Sequence, residues 1–470
     1  MTPPPAGGPA SGHGAKVPPG MGGTGDSPIG GRFGKMFTDL HYQELDPDCM
    51  TALEKVIKAS GTSHNHDLPA GFTYLAQFVD HDLTFDPTPQ GARATDPNAV
   101  TNFRTPRLDL DSLYGSGPAD QPYLYESRDE TFAGVKLLTG RSDRGLFGLT
   151  KPDLPRNEQD RALIGDPRND ENLIVSQLHL LFIRFHNKVV DRLSGERDLK
   201  GGDLFREARR IVSWHYQEIV VHDLLRRLVG QEMLDSVLER REHFNIDTDP
   251  FIPVEFAGAA YRFGHSLVRS SYAIRNRKSA KLFAPTDRFG LDKHLGGFRR
   301  LPHKLTIDWR FFFELSDKRP QPSNLIDANI VEPLWNLPAS NGVRHALPLL
   351  NLGRAKRLDV PSGQAVAEAM QVKQLDATEL GFIGAAAPSR AIRAKLMAAT
   401  PLWYYVLREA AIGGGKRLGP IGGRIVAEVL IELLRCDSES YLAHGGVLEP
   451  RLPSQGDKFT MADLIRFTEA

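Results

Sequence analysis

The sequence predicts one large, mostly helical domain with few short strands, and three observations carry that expectation. Apolar residues recur at helical spacing in long stretches such as NLIVSQLHLLFIRFHNKVVDRL and FREARRIVSWHYQEIVVHDLLRRLVG. Alternating strand patterns are few, and no internal repeat appears. The domain is expected to run from about residue 31 to residue 470, although 470 residues could hold two or three domains.

With 40% apolar and 25% charged residues the chain can bury a large core. Its formal net charge is zero and its Lys and Arg residues are dispersed, which argues against a nucleic-acid partner. Two cysteines, Cys49 and Cys436, stand far apart and exclude a disulfide framework. Residues 1–30 are rich in Pro and Gly and read as a flexible arm. They lack the basic and apolar regions of a standard signal peptide. No apolar run approaches the roughly 20 residues that span a bilayer. A soluble chain without a transmembrane segment is expected, either cytoplasmic or exported by a non-standard route.

The elements follow in order. A short helix is expected from about Thr51 to Ala59. A second, from Tyr74 to Leu83, places Gln77 and His81 four residues apart on one face with Asp80 beside them. Leu75, Phe78, Val79 and Leu83 would bury this helix, so two acids, Asp80 and Asp82, flank one histidine in an apolar element. Such a cluster is either a satisfied core histidine or an active-site base near a cofactor and a metal. In the loop TPRLDLDSLYG, Thr105, Arg107, Asp109 and Asp111 alternate. An extended segment would turn them to one side, where a hard cation such as calcium could also take Asp82 and the Arg107 carbonyl. The bland alternative is a solvated acidic loop.

A helix start is expected at Asp166 and Pro167, with Arg168, Glu171 and Asn172 on its first turns. His179 and His186 read as hydrogen-bonded core residues, and His215 and His222 as structural. PVEFAGAAYRFGHSLVRSSYAI reads as an apolar helix carrying Arg262 and His265. Small residues around the histidine would let a flat, bulky group approach the backbone. His265 is either an axial iron ligand or a core histidine. Asn351 precedes Arg354 by three residues at the end of an apolar run. Two helices joined by a Gly-rich turn follow within 400–435, and the tail from Leu448 to Ala470 is expected to wrap the surface.

Taken together, Gln77-x-x-Asp80-His81-Asp82, the Thr105–Gly115 loop, Arg168-x-x-Glu171, Arg262-Phe263-Gly264-His265 and Asn351-x-x-Arg354 resemble, in order and spacing, the animal-type haem peroxidases of the peroxidase-cyclooxygenase superfamily, including its shorter bacterial members. The similarity spans about residues 32–440. It implies an enzyme that binds haem b or an ester-linked derivative, and calcium. Such an enzyme uses hydrogen peroxide to oxidise phenols and anilines, with halides or pseudohalides as further candidates, through a ferryl intermediate.

By this resemblance His81, Arg168 and Gln77 form the catalytic side of the pocket. His265 is the iron ligand and Asn351 its partner. Asp80 and Glu171 are candidates for ester bonds to haem, and Arg262 and Arg354 for contacts with its propionates. Asp82, Thr105, Arg107, Asp109 and Asp111 form the calcium site. Asn172 stands where some members carry a methionine linked to haem, so no such link is expected. Two alternatives keep the fold: a fatty-acid dioxygenase, and a non-catalytic calcium-binding or adhesion protein. The dioxygenase would need a tyrosine three residues before His265, where this chain has Arg262; Tyr261 lies one residue earlier.

Overall fold

The computed structural model describes residues 31–58, 63–86, 101–145, 148–246, 249–283, 293–337 and 345–470. The expected N-terminal arm lies outside them. Helix α1, Pro47–Lys58, buries Leu53, Val56 and Ile57. Helix α2, Gly71–Leu83, is buried on nearly every side, as a helix at the centre of a domain must be. Phe78 of α2 stacks on Phe182 of helix α3, Leu173–Glu196, with ring centroids 4.8 Å apart. Helix α4, Gly201–Glu218, packs beside α3 and continues into a π-helical stretch over Ile219–Leu225.

The strands are short. Gly31–Gly34 lies between Thr101–Asn102, antiparallel to it, and Ile252–Pro253, parallel to it; three further two-stranded pairs complete the set among the described residues. No described helix is long and apolar enough to cross a membrane. Cys49 and Cys436 are both free thiols.

The segment expected as one apolar helix around His265 is broken. A helix over Val254–Gly258 ends at Ala259, whose backbone (φ −138°, ψ −73°) is not helical. A 3-10 turn, Ala260–Phe263, follows, and then the single turn α5, Gly264–Leu267. Beside the break a tertiary contact is tight: a Cβ on Gly258 would lie 2.8 Å from Val360. At that position the small residue serves the approach of another chain segment.

Helix α6, Leu347–Arg357, carries Asn351 and Arg354. Helices α7, Leu402–Ile412, and α8, Pro420–Cys436, form the expected pair. The tail does not merely wrap the surface. Its helix α9, Met461–Glu469, starts with a capping box between Thr460 and Asp463 and buries Met461, Leu464 and Ile465. It lies on α3, where Phe467 meets Phe185 edge to face at 5.7 Å.

Candidate active site

The last turns of α2 bring three residues to three different places. Asp80 lines a cleft together with Thr84, Phe85, Asp86, Arg168, Ala257, Arg262 and Arg354. Its carboxylate accepts the Thr84 hydroxyl at 3.1 Å. His81 is buried, and its Nδ1 lies 2.9 Å from Oδ1 of Asn169. Burial, reinforced by the charge of Arg168, holds His81 down to about 4, so the ring is neutral at ordinary pH. Asp82 is fully buried and turned to the other side, where it accepts from the Leu110 N–H at 3.2 Å and the Ser112 hydroxyl at 3.0 Å.

Arg168 does not sit on α3. Asp166 caps a separate 3-10 turn, Pro167–Asp170, and Asn172 caps α3 itself by accepting from the N–H groups of Ile174 and Val175. Two capping residues six positions apart therefore start two elements. Arg168 donates to Asp166 through Nε and Nη2, and Nη2 also reaches the carbonyls of His81 (3.1 Å) and Thr84 (2.5 Å). Its guanidinium lies over the Phe85 ring at 4.6 Å. Asp166 is buried and shared with Arg104, whose Nε donates to it at 2.9 Å. Against its burial, these two cations hold the Asp166 carboxyl well below the usual carboxylate range.

Gln77 donates to Glu171 and accepts from Asn172 at 3.2 Å. Burial pushes Glu171 up to about 8; Arg168 opposes this and Asp166 and Asp80 add to it. The turn bearing Arg168 and Glu171 is clamped from outside. The N–H groups of Phe298 (2.6 Å) and Gly297 (2.9 Å) donate to the carbonyls of Asp170 and Glu171. A Cβ on Gly297 would stand 1.8 Å from the Asp170 carbonyl oxygen. Gly297→Ala is therefore expected to push this turn out of place and to cost about 1–3 kcal/mol of stability, read from denaturant unfolding.

Nδ1 of His265, on the single turn α5, meets the amide of Asn351 at 2.9 Å. With the amide turned so that its oxygen accepts from Nδ1–H, Asn351 fixes the ring and its tautomer. Burial, with Arg262 and Arg354 adding to it, holds His265 down to about 3, which keeps the ring neutral. Arginines gather at the mouth. Arg354 lies 3.6 Å from Asp86, and Arg357, buried, pairs with the same carboxylate. Nη1 of Arg357 is buried without a hydrogen-bond partner. Burial and the neighbouring Arg262 and Arg357 lower Arg354 to about 9. Three guanidinium groups with Asp80 and Asp86 as the nearby carboxylates form a site short of negative charge, which suits a group carrying two carboxylates, as haem does. Gly264 adds room, since a Cβ there would meet nothing within 4 Å.

The acidic loop converges, though not as an extended strand. It bends, and Leu110 adopts the left-handed conformation (φ 61°) just before a short helix at Asp111–Tyr114. Carboxylate oxygens of Asp82, Asp109 and Asp111 come within 4.8 Å of one another. Thr105 donates its hydroxyl to Asp109 (2.9 Å) and its N–H to Asp111 (3.1 Å), while Oδ1 of Asp111 is buried without a partner. Burial raises Asp82 well above the carboxylate range, with Asp111 and Asp109 adding repulsion. Burial and Asp109 likewise push Asp111 up to about 7, against the pull of Arg104. Such a set could hold a dication. The Arg107 side chain points away, toward Asp437 at 3.9 Å.

The other histidines divide. His186 is held by the Tyr114 hydroxyl (3.0 Å) and the Val135 carbonyl (2.9 Å), and His215 by the Ile211 carbonyl (2.7 Å), as core residues. His179 is core as well, but its partner is Asn169, the residue that holds His81. Sequence reasoning missed Asn169, Arg104, Asp86 and Arg357. Asn169 could have been noticed as a buried amide beside Arg168; the others are defined only by tertiary contacts.

The chain belongs to the animal haem peroxidase family, whose sequence model matches residues 88–376. Among curated proteins it is 29% identical over 287 residues to the peroxidasin homolog pxn-2 of Caenorhabditis elegans, covering 56% of this chain and 20% of that one. It is 31% identical over 189 residues to the chorion peroxidase of Drosophila melanogaster, covering 37% of this chain and 22% of that one. The matched region thus spans about a fifth of the length of these relatives. Among solved structures, peroxidase A of Dictyostelium discoideum shares the fold with a TM-score of 0.62 and 14% identity, covering 99% of this chain and 98% of that one. A fatty acid alpha-dioxygenase of Oryza sativa shares it with a TM-score of 0.54 and 16% identity, covering 92% and 79%.

Proposed function

We propose that the protein is a haem peroxidase that uses hydrogen peroxide to oxidise small organic donors such as phenols and anilines, with halides or pseudohalides as further candidates. The observation that carries the reading is a buried neutral His81 beside Arg168, which lines the cleft, together with a His265 held through Nδ1 by Asn351 and within the field of Arg262 and Arg354, which also line it. Haem, when bound, would supply an iron that takes up peroxide and accepts oxidising equivalents.

The chain's own groups do the rest. His265 offers Nε2 to the metal, and Asn351 fixes the ring. His81, neutral at Nε2, takes the proton from one peroxide oxygen and returns it to the other, which leaves as water. Arg168 keeps its charge and stabilises the negative charge that builds as the oxygens separate. Arg262 and Arg354 hold the propionates, with Arg357 beside them. Asp80, which lines the cleft, and Glu171 would form the ester bonds to haem. Asp82, Asp109 and Asp111, with Thr105 and the Arg107 carbonyl, hold calcium.

Two measurements test this. Purified protein supplied with haem is expected to show a Soret band and to oxidise a phenol only when peroxide is added. Oxygen uptake with a fatty acid and no peroxide would favour the dioxygenase reading instead. Mass spectrometry after turnover with peroxide and denaturation is expected to find haem attached to the chain. Asp80→Ala and Glu171→Ala should each remove one attachment; haem that washes out of the wild type would refute the esters.

A further inference from the structure

Asn169 is fully buried one residue after Arg168. Its Oδ1 lies 2.9 Å from Nδ1 of His81 and its Nδ2 lies 3.0 Å from Nδ1 of His179, which is also fully buried. Its backbone N–H donates to the Asp166 carbonyl at 3.1 Å, so the residue is anchored by main chain and side chain together. A carbonyl oxygen can only accept. With Oδ1 toward His81, the imidazole must carry its proton on Nδ1 and present Nε2 bare. The other end of the amide can only donate, so His179 must accept at Nδ1 and carry its own proton on Nε2.

The three side chains therefore form one alternating chain with two self-consistent states. In the other state the amide is turned, and both rings move their protons. His81 would then hold a proton on Nε2 and could not take one from peroxide. Neither ring can change tautomer alone without setting two donors or two acceptors against each other in a buried site. His179 is thus more than a filled core position. Its ring also lies edge to face with Phe78 of α2, at 5.9 Å and 73°, which ties the far end of the chain to the helix that carries His81.

We infer that Asn169, held by His179, is a positioning residue that sets the tautomer of His81. The inference rests on the proposed role of His81 as base and goes beyond it by assigning what keeps Nε2 free. Ring-nitrogen NMR on the full-length, haem-free chain with labelled histidine tests it directly. Wild-type His81 is expected to show a protonated Nδ1 and a bare Nε2. Asn169→Leu should mix or reverse the two forms, and Asn169→Asp, which keeps an acceptor for His81 and lets His179 donate from Nδ1, should restore them.

With haem supplied, Asn169→Leu should react with peroxide about 10- to 100-fold more slowly, and Asn169→Asp should recover most of the rate. If Asn169→Leu fails to fold, His179→Phe removes the amide's second partner and is expected to mix the tautomers in the same way. A wild-type His81 protonated on Nε2, or one whose tautomer is unchanged in both variants, would overturn the inference. A wild type with the expected tautomer that does not react with peroxide would refute the peroxidase reading while supporting the assignment of Asn169.

Discussion

Replacing His81 with alanine is expected to slow the reaction with hydrogen peroxide by about a hundred- to ten-thousandfold, the range for loss of a placed general base, while haem stays bound. The two effects separate because His265 is held by Asn351 and His81 by Asn169. The His81 ring is fastened through Asn169, so its loss leaves the Asp166 contacts of Arg168 in place. Stopped-flow mixing with peroxide, with the Soret band recorded on the same sample, is the measurement. An unchanged rate would remove His81 from the mechanism. His265→Ala should do the reverse and lose the haem.

The second large effect is expected at the acidic cluster. Calcium bound at about 100 times its dissociation constant would stabilise the chain by about 2.7 kcal/mol, and more at higher excess. Removing it with a chelator should therefore lower the melting temperature by several degrees. It should also slow the peroxide reaction, because Asp82 adjoins His81 on α2. Asp82→Ala should abolish the difference between calcium and chelator, and a chelator-insensitive wild type would refute the site. Buried carboxylates that raise one another above the usual range are costly to ionise without a cation.

What the sequence made legible was mostly local. The resemblance to the animal haem peroxidases implied separate roles for Asp80 and Asp82, and residues two apart on a helix point to different sides; Asp80 lines the cleft and Asp82 faces the acidic loop. The capping box at Thr460 was equally readable, yet the polar composition of the tail hid its buried Met461, Leu464 and Ile465. The break at Ala259 was not readable, since it accompanies an approach of Val360 to Gly258 from about a hundred residues away. Asp166 and Asn172 were both capping types, and reading only the first as a cap extended one helix over two elements. The pairing of Arg357 with Asp86, across the cleft mouth, had no local signal.

The end of α2 is fastened from opposite sides. Asp82 receives the Leu110 and Ser112 groups of the acidic loop, and the carbonyls of His81 and Thr84 receive Nη2 of Arg168. That turn has little freedom to rotate before any cofactor arrives. Amide protons there should exchange with solvent only through deep opening of the fold, and haem would enter a frame already set on its catalytic wall. The adjustment on loading then falls to the arginine-lined mouth, where surplus positive charge is waiting to be neutralised.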